Sequence, residues 1–466
     1  MRVWCRPQWY LVALSMLSLA LLLAPVAGVA SGAPLLTQLS SDPYTNTDAQ
    51  HQTEDEPAAF AFGSTIVTAF NVGRFTTAGT TNTGWAVSTD SGATWTHGFL
   101  SGITKYTGGI YDRVSNPSVA YDPLHGVWLI AVKATSSSGG PRAVLLSRSL
   151  DGGHTWSAPL NVAVAPKGEY YDKPWVSCDT TASSPYYGRC YATFDAYYDS
   201  ERIKMSTSTD GGLTWSAPKN TADNATGLGG QPQVQPNGTV IVPFRRVSQE
   251  LASFVSTDGG STWGASVRIS KFQYHTAAGQ FRAQPPLPSA GIDGAGKVYV
   301  AWQDCRLRTN CSANDILLST SSDGLHWSFP TRVPIDDVTS TADHFIPGLG
   351  VDRATSGATA HLGLSYYYYP VASCSLNTCQ LDVGYIASTD GGQTWSVATQ
   401  LAGPMHLTWL AYTPTGRMVG DYMSTVFAGG VAYPMFAVGR IPIGSTYQEA
   451  IYTVQTGLRL GRVSWG

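Results

Sequence analysis

Short runs of alternating apolar and polar residues recur along the chain, and they predict β-strands. Val298, Val300 and Trp302, for example, are apolar residues spaced two positions apart, which is the period of a strand with one face in a core. No stretch of the sequence has a clear helical period. Seven stretches, the last of them degenerate, follow one order, in which a polar residue, a proline, a short apolar run and a turn precede an alternating strand. They begin at residues 56, 116, 172, 231, 284, 346 and 420.

A turn motif follows six of these stretches and reads Ser-Thr-Asp-Gly-Gly-Leu-Thr-Trp-Ser at residues 208–216. Close variants begin at Ser88, Ser149, Ser256, Ser321 and Ser388. Successive copies are about 60 residues apart, so each repeat is one supersecondary unit rather than a domain. Units of this size, with about four antiparallel strands each, stack radially into a propeller. We therefore predict that residues 31–466 form a single all-β domain, a β-propeller of seven four-stranded blades, with six blades as the alternative.

The residue types in the turn indicate a structural role. Asp210 is short enough to accept hydrogen bonds from the backbone N–H groups ahead of it. Gly211 and Gly212 can adopt backbone angles that other residues avoid, and Trp215 can bury a large ring between strands. A calcium site is the alternative, but one carboxylate per turn is too few for a cation that takes about six to eight oxygen ligands.

The first 30 residues have the pattern of a signal peptide. Arg2 and Arg6 precede an apolar run at residues 11–23, and small residues follow up to Ala30. We expect cleavage after Ala30 and a secreted, extracellular protein that has no membrane segment after cleavage; an uncleaved anchor is the alternative. Charged residues make up only 13% of the chain, about half the usual share, and with no basic surface the protein is not expected to bind nucleic acid.

Six cysteines outside the signal peptide fall into three closely spaced pairs. These pairs are Cys178 with Cys190, Cys305 with Cys311, and Cys374 with Cys379. In an exported protein, an even number of cysteines at short spacing predicts local disulfides. A metal site is the alternative, but it needs ligands at CxxC-type spacing, which the sequence lacks. We expect neither a metal nor a cofactor.

The first strand of each propeller unit lines the central axis, so polar residues at its entrance should converge. These positions hold Glu56, Asn116, Asp172 with Lys173, Gln231, Gln284, Asp343 with His344, and Asp421 with Tyr422. Carboxylates, amides and a cation offer directional partners for hydroxyl groups and candidate acids and bases. The set predicts a sugar-binding funnel; the alternative is that these groups cap strand ends and hold channel water.

The pattern S-x-D-x-G-x-T-W resembles the Asp box of sialidases and of the wider sialidase-like propeller superfamily. Its six copies extend over almost all of the chain after residue 30. The resemblance implies a propeller with the Asp boxes at its periphery. It also implies cleavage of terminal acidic sugars by a tyrosine nucleophile, an aspartate acid/base and three arginines that bind the substrate carboxylate. Asp boxes also occur in lyases, other glycosidases and non-catalytic propellers.

Several residues match parts of that machinery. Tyr422 is similar in context to the nucleophilic tyrosine, and the candidate acids and bases are Asp421, Glu56 and Asp172. Arg245 or Arg246, which follow a predicted strand, resemble the second clamp arginine. The predicted substrate-binding set comprises Arg113, Arg246, Arg306, Lys173, Gln231, Gln284 and His344.

Two departures weaken the match to sialidases. The Arg-Ile-Pro motif that the family carries early in the chain is missing there, and Arg74 and Arg113 are only loose substitutes. Gln231 stands where a glutamate is expected, and a neutral amide cannot take the proton of a tyrosine. The prediction is thus an exo-sialidase-type glycoside hydrolase. The alternatives are a polysaccharide lyase or another glycosidase on the same scaffold, and a non-catalytic glycan- or protein-binding propeller. Residues 169–173 suit the lyase, because they bring two carboxylates, a lysine and two tyrosines together. The expected partner is a glycan or acidic polysaccharide, and the expected state is a monomer.

Overall fold

A computed structural model of the protein describes residues 1–4, 33–136, 140 and 142–460. Apart from its first four residues, the predicted signal peptide, residues 1–30, lies outside the described residues and stays a prediction. The fold is all-β, with 3% of residues in helices and 49% in strands, which confirms the predicted class. Within the described residues, no helix has the length and hydrophobicity needed to span a bilayer.

Among the described residues, most strands form seven consecutive antiparallel groups, which we call meanders 1 to 7. Single pairs, Thr53 with Glu449 and Thr80 with Val114, also join meanders 7, 1 and 2 into one 13-stranded sheet. A preceding strand, β1 (Leu36–Gln38), pairs with meander 7. Meander 1 contains β2 (Gln50–Phe62), β3 (Thr65–Arg74), β4 (Thr80–Ser88) and β5 (Thr96–Phe99). Meander 2 contains β6 (Arg113–Asp122), β7 (Val127–Thr135), β8 (Arg142–Ser149) and β9 (Leu160–Val164). Meander 3 contains β10 (Tyr171–Cys178), β11 (Cys190–Ala196) and β12 (Arg202–Ser208).

Meanders 4 to 6 continue in the same way. Meander 4 contains β13 (Gly227–Leu228), β14 (Gln233–Val234), β15 (Val240–Arg246), β16 (Glu250–Ser256) and β17 (Val267–Lys271). Meander 5 contains β18 (Ser289–Ile292), β19 (Val298–Asp304), β20 (Asp315–Ser321) and β21 (Thr331–Arg332). Meander 6 contains β22 (Asp343–Val351), β23 (Leu362–Tyr369), β24 (Gln380–Ser388) and β25 (Thr399–His406).

The hairpin of β26 (Ala411–Thr413) and β27 (Gly416–Met418) precedes meander 7. Meander 7 contains β28 (Ser424–Ala428), β29 (Val431–Ile443), β30 (Thr446–Val454) and β31 (Leu458–Arg459), and β1 closes it along β30. Short 3-10 helices lie at Lys105–Thr107, Thr309–Cys311, Gly357–Thr359 and Leu407–Trp409.

The hydrophobic core lies between meanders that follow one another in the chain. One cluster joins Val67 and Trp85 of meander 1 to Trp128 of meander 2, and the next joins Leu129 of meander 2 to Phe194 of meander 3. Strands such as β3 and β4 are buried along nearly their whole length, because both of their faces pack against neighbours. This burial on two faces explains the low share of charged residues.

The Asp boxes occupy equivalent places, directly after the third strand of meanders 1, 2, 3, 5 and 6 and directly after β16, the fourth strand, of meander 4. In the copy at residues 208–216, Ser208 Oγ donates to Asp210 Oδ1 (2.8 Å) and accepts from the backbone N–H of Gly212 (2.9 Å). The indole of Trp215 donates to the Gly212 carbonyl (3.3 Å). Gly211 and Gly212 have φ values of 71° and 81°, which favour glycine. The turn is held by its own side chains, as the sequence predicts.

A β-bulge interrupts the first strand of four meanders at an X-Pro pair. The residue before proline has a φ of 59° at Glu56, 54° at Asn116, 46° at Lys173 and 51° at Ile346. The strand register shifts at each of these positions. A bulge re-aims the side chains around it, so the recurring proline pattern changes the direction of polar side chains in the first strands.

Hydrogen bonds connect the first strands of neighbouring meanders. They join meanders 2 and 3, 4 and 5, 5 and 6, 6 and 7, and also meander 7 to meander 1. The bonds run from Val176 N–H to Ser118 Oγ (3.1 Å), from Ala290 N–H to Gln231 Oε1 (2.7 Å), from Leu349 N–H to Ser289 Oγ (2.8 Å), from Thr425 Oγ1 to the Gly348 carbonyl (2.8 Å) and from Ala59 N–H to Ser424 Oγ (3.1 Å).

All three predicted disulfides are confirmed. Cys178–Cys190 joins directly paired residues of β10 and β11. Cys305–Cys311 closes a short loop after β19, and Cys374–Cys379 closes another between β23 and β24.

Glu449 should make the stability of the fold fall as the pH rises. Its carboxyl is 1% exposed and accepts the backbone N–H of Ala411 (2.8 Å), while Oε1 has no hydrogen-bond partner. Burial, with a smaller contribution from Asp55, raises the pKa of Glu449 well above its usual range. The folded state therefore holds a proton that the unfolded chain releases, and this stabilisation is lost as pH rises through the raised pKa.

We expect Glu449→Gln, which is neutral at every pH, to lose less free energy of unfolding between pH 5 and pH 8 than the wild type. Urea denaturation at both pH values measures this loss. Glu250→Gln, at a half-buried glutamate paired with Arg246 (3.1 Å), is the control and should not reduce the pH dependence. Equal pH dependence in Glu449→Gln and the wild type would show that Glu449 is not the source.

Candidate active site

A polar cavity of about 200 Å³ opens beside the bulged first strands. Seven charged side chains line it together with Tyr197, Tyr422, Gln284 and Gln303. The charged residues are Asp172, Lys173, Asp195, Glu201, Arg245, Arg282 and Asp421. Acids and bases gathered in one cavity mark it as the candidate active site.

Lys173 organises one side of the cavity. Its Nζ forms an ion pair with Asp421 and lies 3.4 Å from Glu56 Oε1. Arg282 Nη2 contacts the same Asp421 oxygen at 2.5 Å. Burial acts to raise the pKa of Asp421, but the charges of Arg282 and Lys173 outweigh it and hold that pKa well below its usual range. Asp421 is therefore a carboxylate whose charge is already balanced.

Glu56 belongs to this network but does not line the cavity. Its two carboxylate oxygens accept hydrogen bonds from Asn71 Nδ2 (2.8 Å) and Asn116 Nδ2 (3.1 Å), and from the backbone N–H of Asp421 (3.3 Å). With Lys173 these contacts join residues of meanders 1, 2, 3 and 7. Glu56 is placed to hold Lys173 and Asp421 in position.

Two carboxyl groups face each other on the adjacent strands β10 and β11. Asp172 pairs directly with Asp195 in the register of the sheet. Burial acts to raise the pKa of Asp172, but Lys133, whose Nζ lies 2.7 Å away, and Lys173 outweigh it and lower that pKa. The pKa of Asp195 is raised well above its usual range by burial and then by the charges of Asp172 and Glu201. The pKa values of the two carboxyl groups are thus shifted in opposite directions, which is the arrangement that an acid/base pair requires.

Arg245 offers an unpaired cation to the cavity. Among the described residues no carboxylate forms an ion pair with it, and its buried Nε has no hydrogen-bond partner in the protein. Burial lowers its pKa. Asp195 Oδ1 and Glu201 Oε2 likewise have no partner. Buried polar groups normally find partners, so these three groups indicate where a polar ligand binds.

Tyr422 lines the cavity, but its phenol is directed to the backbone. Its Oη donates to the Pro117 carbonyl (2.8 Å), and the edge of the Trp175 ring packs against it with centroids 5.3 Å apart. Burial, followed by the charges of Glu56 and Asp421, raises the pKa of Tyr422 well above its usual range. The phenol is held in its protonated form, which is the poorer nucleophile.

The three predicted clamp arginines each bind other groups of the protein. Arg113 donates to the Ala78 carbonyl (2.8 Å), Arg246 pairs with Glu250, and Arg306 pairs with Asp304 (2.6 Å). None of the three lines the cavity. Their role as a clamp stays a prediction. Arg245 and Arg246 are adjacent on β15, and side chains alternate along a strand, which is why only Arg245 faces the cavity.

Gln231 and His344 also lie apart from the cavity. Gln231 Oε1 accepts the backbone N–H of Ala290 and joins meanders 4 and 5. His344 is buried against Tyr366 and Tyr368. It lies near Asp315 and Asp336 in a group that resembles a metal site. Arg308 and Arg332 already pair with both of these carboxylates, so this group does not suit a cation.

Of the predicted residues, Asp172, Lys173, Gln284, Asp421 and Tyr422 come together in the cavity. Sequence reasoning missed Asp195, Glu201 and Arg282 as site residues, and it offered Arg245 only as the alternative to Arg246. Asp195 is the last residue but one of the alternating strand β11, and Arg282 lies two residues before Gln284-Pro285. A search for charged residues around these two features could have found them.

Comparisons with known proteins agree with the repeats. Residues 105–272 match the family described as BNR repeat-like domain, and residues 386–397 match the BNR/Asp-box repeat. Both matches support the resemblance of the repeats to those of the sialidase-like BNR/Asp-box superfamily. No curated protein matches the chain.

Among solved structures, the chain is similar to an ulvan lyase of polysaccharide lyase family PL25, bound to -[GlcA(1-4)Rha3S]-. The TM-score is 0.52 at 12% identity, over 92% of this chain and 98% of that one. It is also similar to Hadza microbial sialidase Hz136, with a TM-score of 0.42 at 17% identity over 73% of this chain, and it spans 65% of that sialidase. For Trypanosoma rangeli sialidase the TM-score is 0.47 at 12% identity, over 90% and 59% of the two chains. At such identities the likeness to the ulvan lyase concerns the fold.

Proposed function

We propose that the protein is a carbohydrate-active enzyme that cleaves a glycosidic bond of an acidic glycan in the cavity. The observation that carries the proposal is the facing pair Asp172 and Asp195, whose pKa values are shifted in opposite directions, beside the unpaired Arg245. Paired carboxyl groups with separated pKa values are the usual machinery of glycoside hydrolysis.

In the proposed reaction Asp195 is the general acid. Its proton passes to the glycosidic oxygen as the bond from that oxygen to the anomeric carbon breaks. Asp172 accepts a proton from the attacking water, whose oxygen forms the new bond to the anomeric carbon. Lys133 and Lys173 keep Asp172 ionised, and Arg245 binds the acidic group of the sugar through its guanidinium.

Exo-sialidase activity with Tyr422 as the nucleophile is the finer prediction from the sequence. The position of Tyr422 in the cavity supports it. Tyr422→Phe distinguishes the two mechanisms, because the acid/base pair does not need the phenol. We expect this variant to keep most of the wild-type activity; an inactive but folded variant would favour the sialidase mechanism.

We also propose that the seven meanders are the blades of one propeller and that the protein acts outside the cytoplasm. The hydrogen bonds between neighbouring first strands, including the bond from meander 1 to meander 7, support the first proposal. The three disulfides support the second, because such bonds persist in oxidising compartments.

A screen for released sugars tests the proposed function. Purified protein would be incubated with sialyllactose, polygalacturonate, hyaluronan and ulvan, and with neutral arabinan. Reducing ends report cleavage by either reaction, and the ultraviolet absorbance of unsaturated products shows whether the cleavage is an elimination. We expect new reducing ends from at least one acidic glycan without unsaturated product. Release from arabinan alone, or from no substrate, would contradict the proposal.

Arg245→Met should lower kcat/KM on the cleaved acidic glycan roughly 10- to 100-fold, because it removes a charged hydrogen bond to the substrate. Arg246→Met is the matched control, since Arg246 is the next residue on β15 and points away from the cavity. The assignment fails if Arg246→Met causes the larger loss.

A further inference from the structure

We propose that Tyr197 and Tyr198 form a platform on which a second sugar ring of the substrate stacks, so that the enzyme acts on glycan chains rather than on single terminal sugars. This inference rests on the proposed function for the chemistry of the ligand. It names an additional binding position outside the cavity.

Three tyrosines form an aromatic cluster at the edge of the cavity. Tyr170 and Tyr197 are stacked, with ring centroids 4.6 Å apart and an interplanar angle of 23°. Tyr198 meets both rings edge-on, at 5.4 Å and 5.2 Å. Tyr197 is 43% exposed and Tyr198 is 63% exposed. Contiguous exposed apolar surface of this kind marks binding sites in soluble proteins.

The cluster is held rigidly from behind. Glu169 Oε1 accepts the backbone N–H groups of Tyr170 and Tyr198, each at 2.8 Å, and the backbone N–H of Tyr197 donates to the Tyr170 carbonyl (3.1 Å). Lys133 Nζ and the Arg142 guanidinium lie over the Tyr170 ring, 5.6 Å and 5.7 Å from its centroid. Two exposed rings are thus fixed before any ligand arrives, which lowers the entropic cost of binding.

The platform continues the active site. Tyr197 lines the cavity, and Lys133, which lies over the Tyr170 ring, also pairs with Asp172 (2.7 Å). A volume of about 200 Å³ is below the ~300–1,000 Å³ typical of pockets for drug-sized ligands. The cavity therefore holds little more than a single sugar ring, and the next ring of a chain emerges against Tyr197. The apolar face of a sugar suits an aromatic ring, while Lys133 and Arg142 favour a sugar that carries an acidic group.

Tyrosine variants test the platform with two separate readouts. Electrophoresis through gels that contain polygalacturonate, hyaluronan or ulvan measures binding without any need for catalysis. Kinetics on the cleaved polymer, compared with kinetics on an aryl glycoside of its single sugar, show whether the tyrosines contribute only when a second sugar ring is present. Tyr197→Ala and Tyr198→Ala would be compared with Tyr412→Ala. Tyr412 is also 43% exposed and also has an arginine, Arg417, over its ring, but it lies on β26.

We expect retardation of the wild type and of Tyr412→Ala by an acidic polysaccharide, and weaker retardation of the two platform variants. Each platform variant should raise KM on the polymer roughly 3- to 10-fold. Tyr198 does not line the cavity, so Tyr198→Ala should leave kcat and the kinetics on the aryl glycoside unchanged. Thermal unfolding would confirm that the variants fold.

The outcomes separate the platform from the proposed function. If the wild type cleaves a glycan but the platform variants match it on the polymer, the platform is wrong and the function stands. If the wild type binds an acidic polysaccharide through the two tyrosines without cleaving any glycan, the platform stands and the function fails. A wild type that no acidic polysaccharide retards would overturn the platform as well.

Discussion

Replacing Asp195 by asparagine should lower kcat about 10²- to 10⁴-fold while the protein stays folded. Asparagine has nearly the same shape but carries no proton that it can give to the leaving oxygen. Release of reducing ends from the substrate found in the screen measures this loss. Asp199→Asn is the control, because Asp199 lies in the adjoining turn and is paired with Arg202 (2.9 Å) at the surface; it should retain wild-type kcat.

The pH profile adds a test that a merely structural role would not affect. Wild-type activity should rise as Asp172 ionises, below the usual carboxyl pKa, and should fall as pH passes the raised pKa of Asp195. The residual activity of Asp195→Asn should lack the alkaline fall. If that fall persists in the variant, another group is the acid.

Replacing Trp263 by alanine should lower the free energy of unfolding by about 3–5 kcal/mol. Trp263 belongs to the Asp box after β16 and is 4% exposed. It packs edge-on against Phe254 and Tyr191, with centroids at 5.7 Å and 6.1 Å, so its loss leaves a large cavity between meanders 3 and 4. Urea denaturation measures the change.

Trp215→Ala serves as the matched comparison for Trp263→Ala. Trp215 occupies the same position in another Asp box but is only half-buried, so its loss should cost less free energy. An equal or larger cost for Trp215→Ala would show that burial of the ring does not set the contribution of these tryptophans.

The all-β repeats could be predicted from the sequence because they depend on local rules that recur along the chain. The Asp boxes close on themselves through Ser208, Asp210 and Gly212, so their residue types already specify the turn. The proline pattern marked the first strands, and the cysteine spacing gave all three disulfides. Each of these signals acts over a few residues.

The site was predicted only in part, because it depends on which face of a strand a residue occupies. Lys173, Asp421 and Tyr422 were found from the first-strand pattern. Asp195 lies on a second strand and becomes a candidate only when its pairing with Asp172 is known. The choice of Arg246 missed the cavity by one residue, since alternation on β15 directs Arg245 into it.

A crystal structure of the Asp195→Asn protein with an oligosaccharide of the cleaved acidic glycan tests the central claim most directly. The account predicts an acidic group bound to the Arg245 guanidinium, with the glycosidic oxygen within hydrogen-bonding distance of the side chain at position 195. An oligosaccharide bound elsewhere on the protein would contradict it. So would one whose glycosidic oxygen lies beyond reach of both position 195 and Asp172.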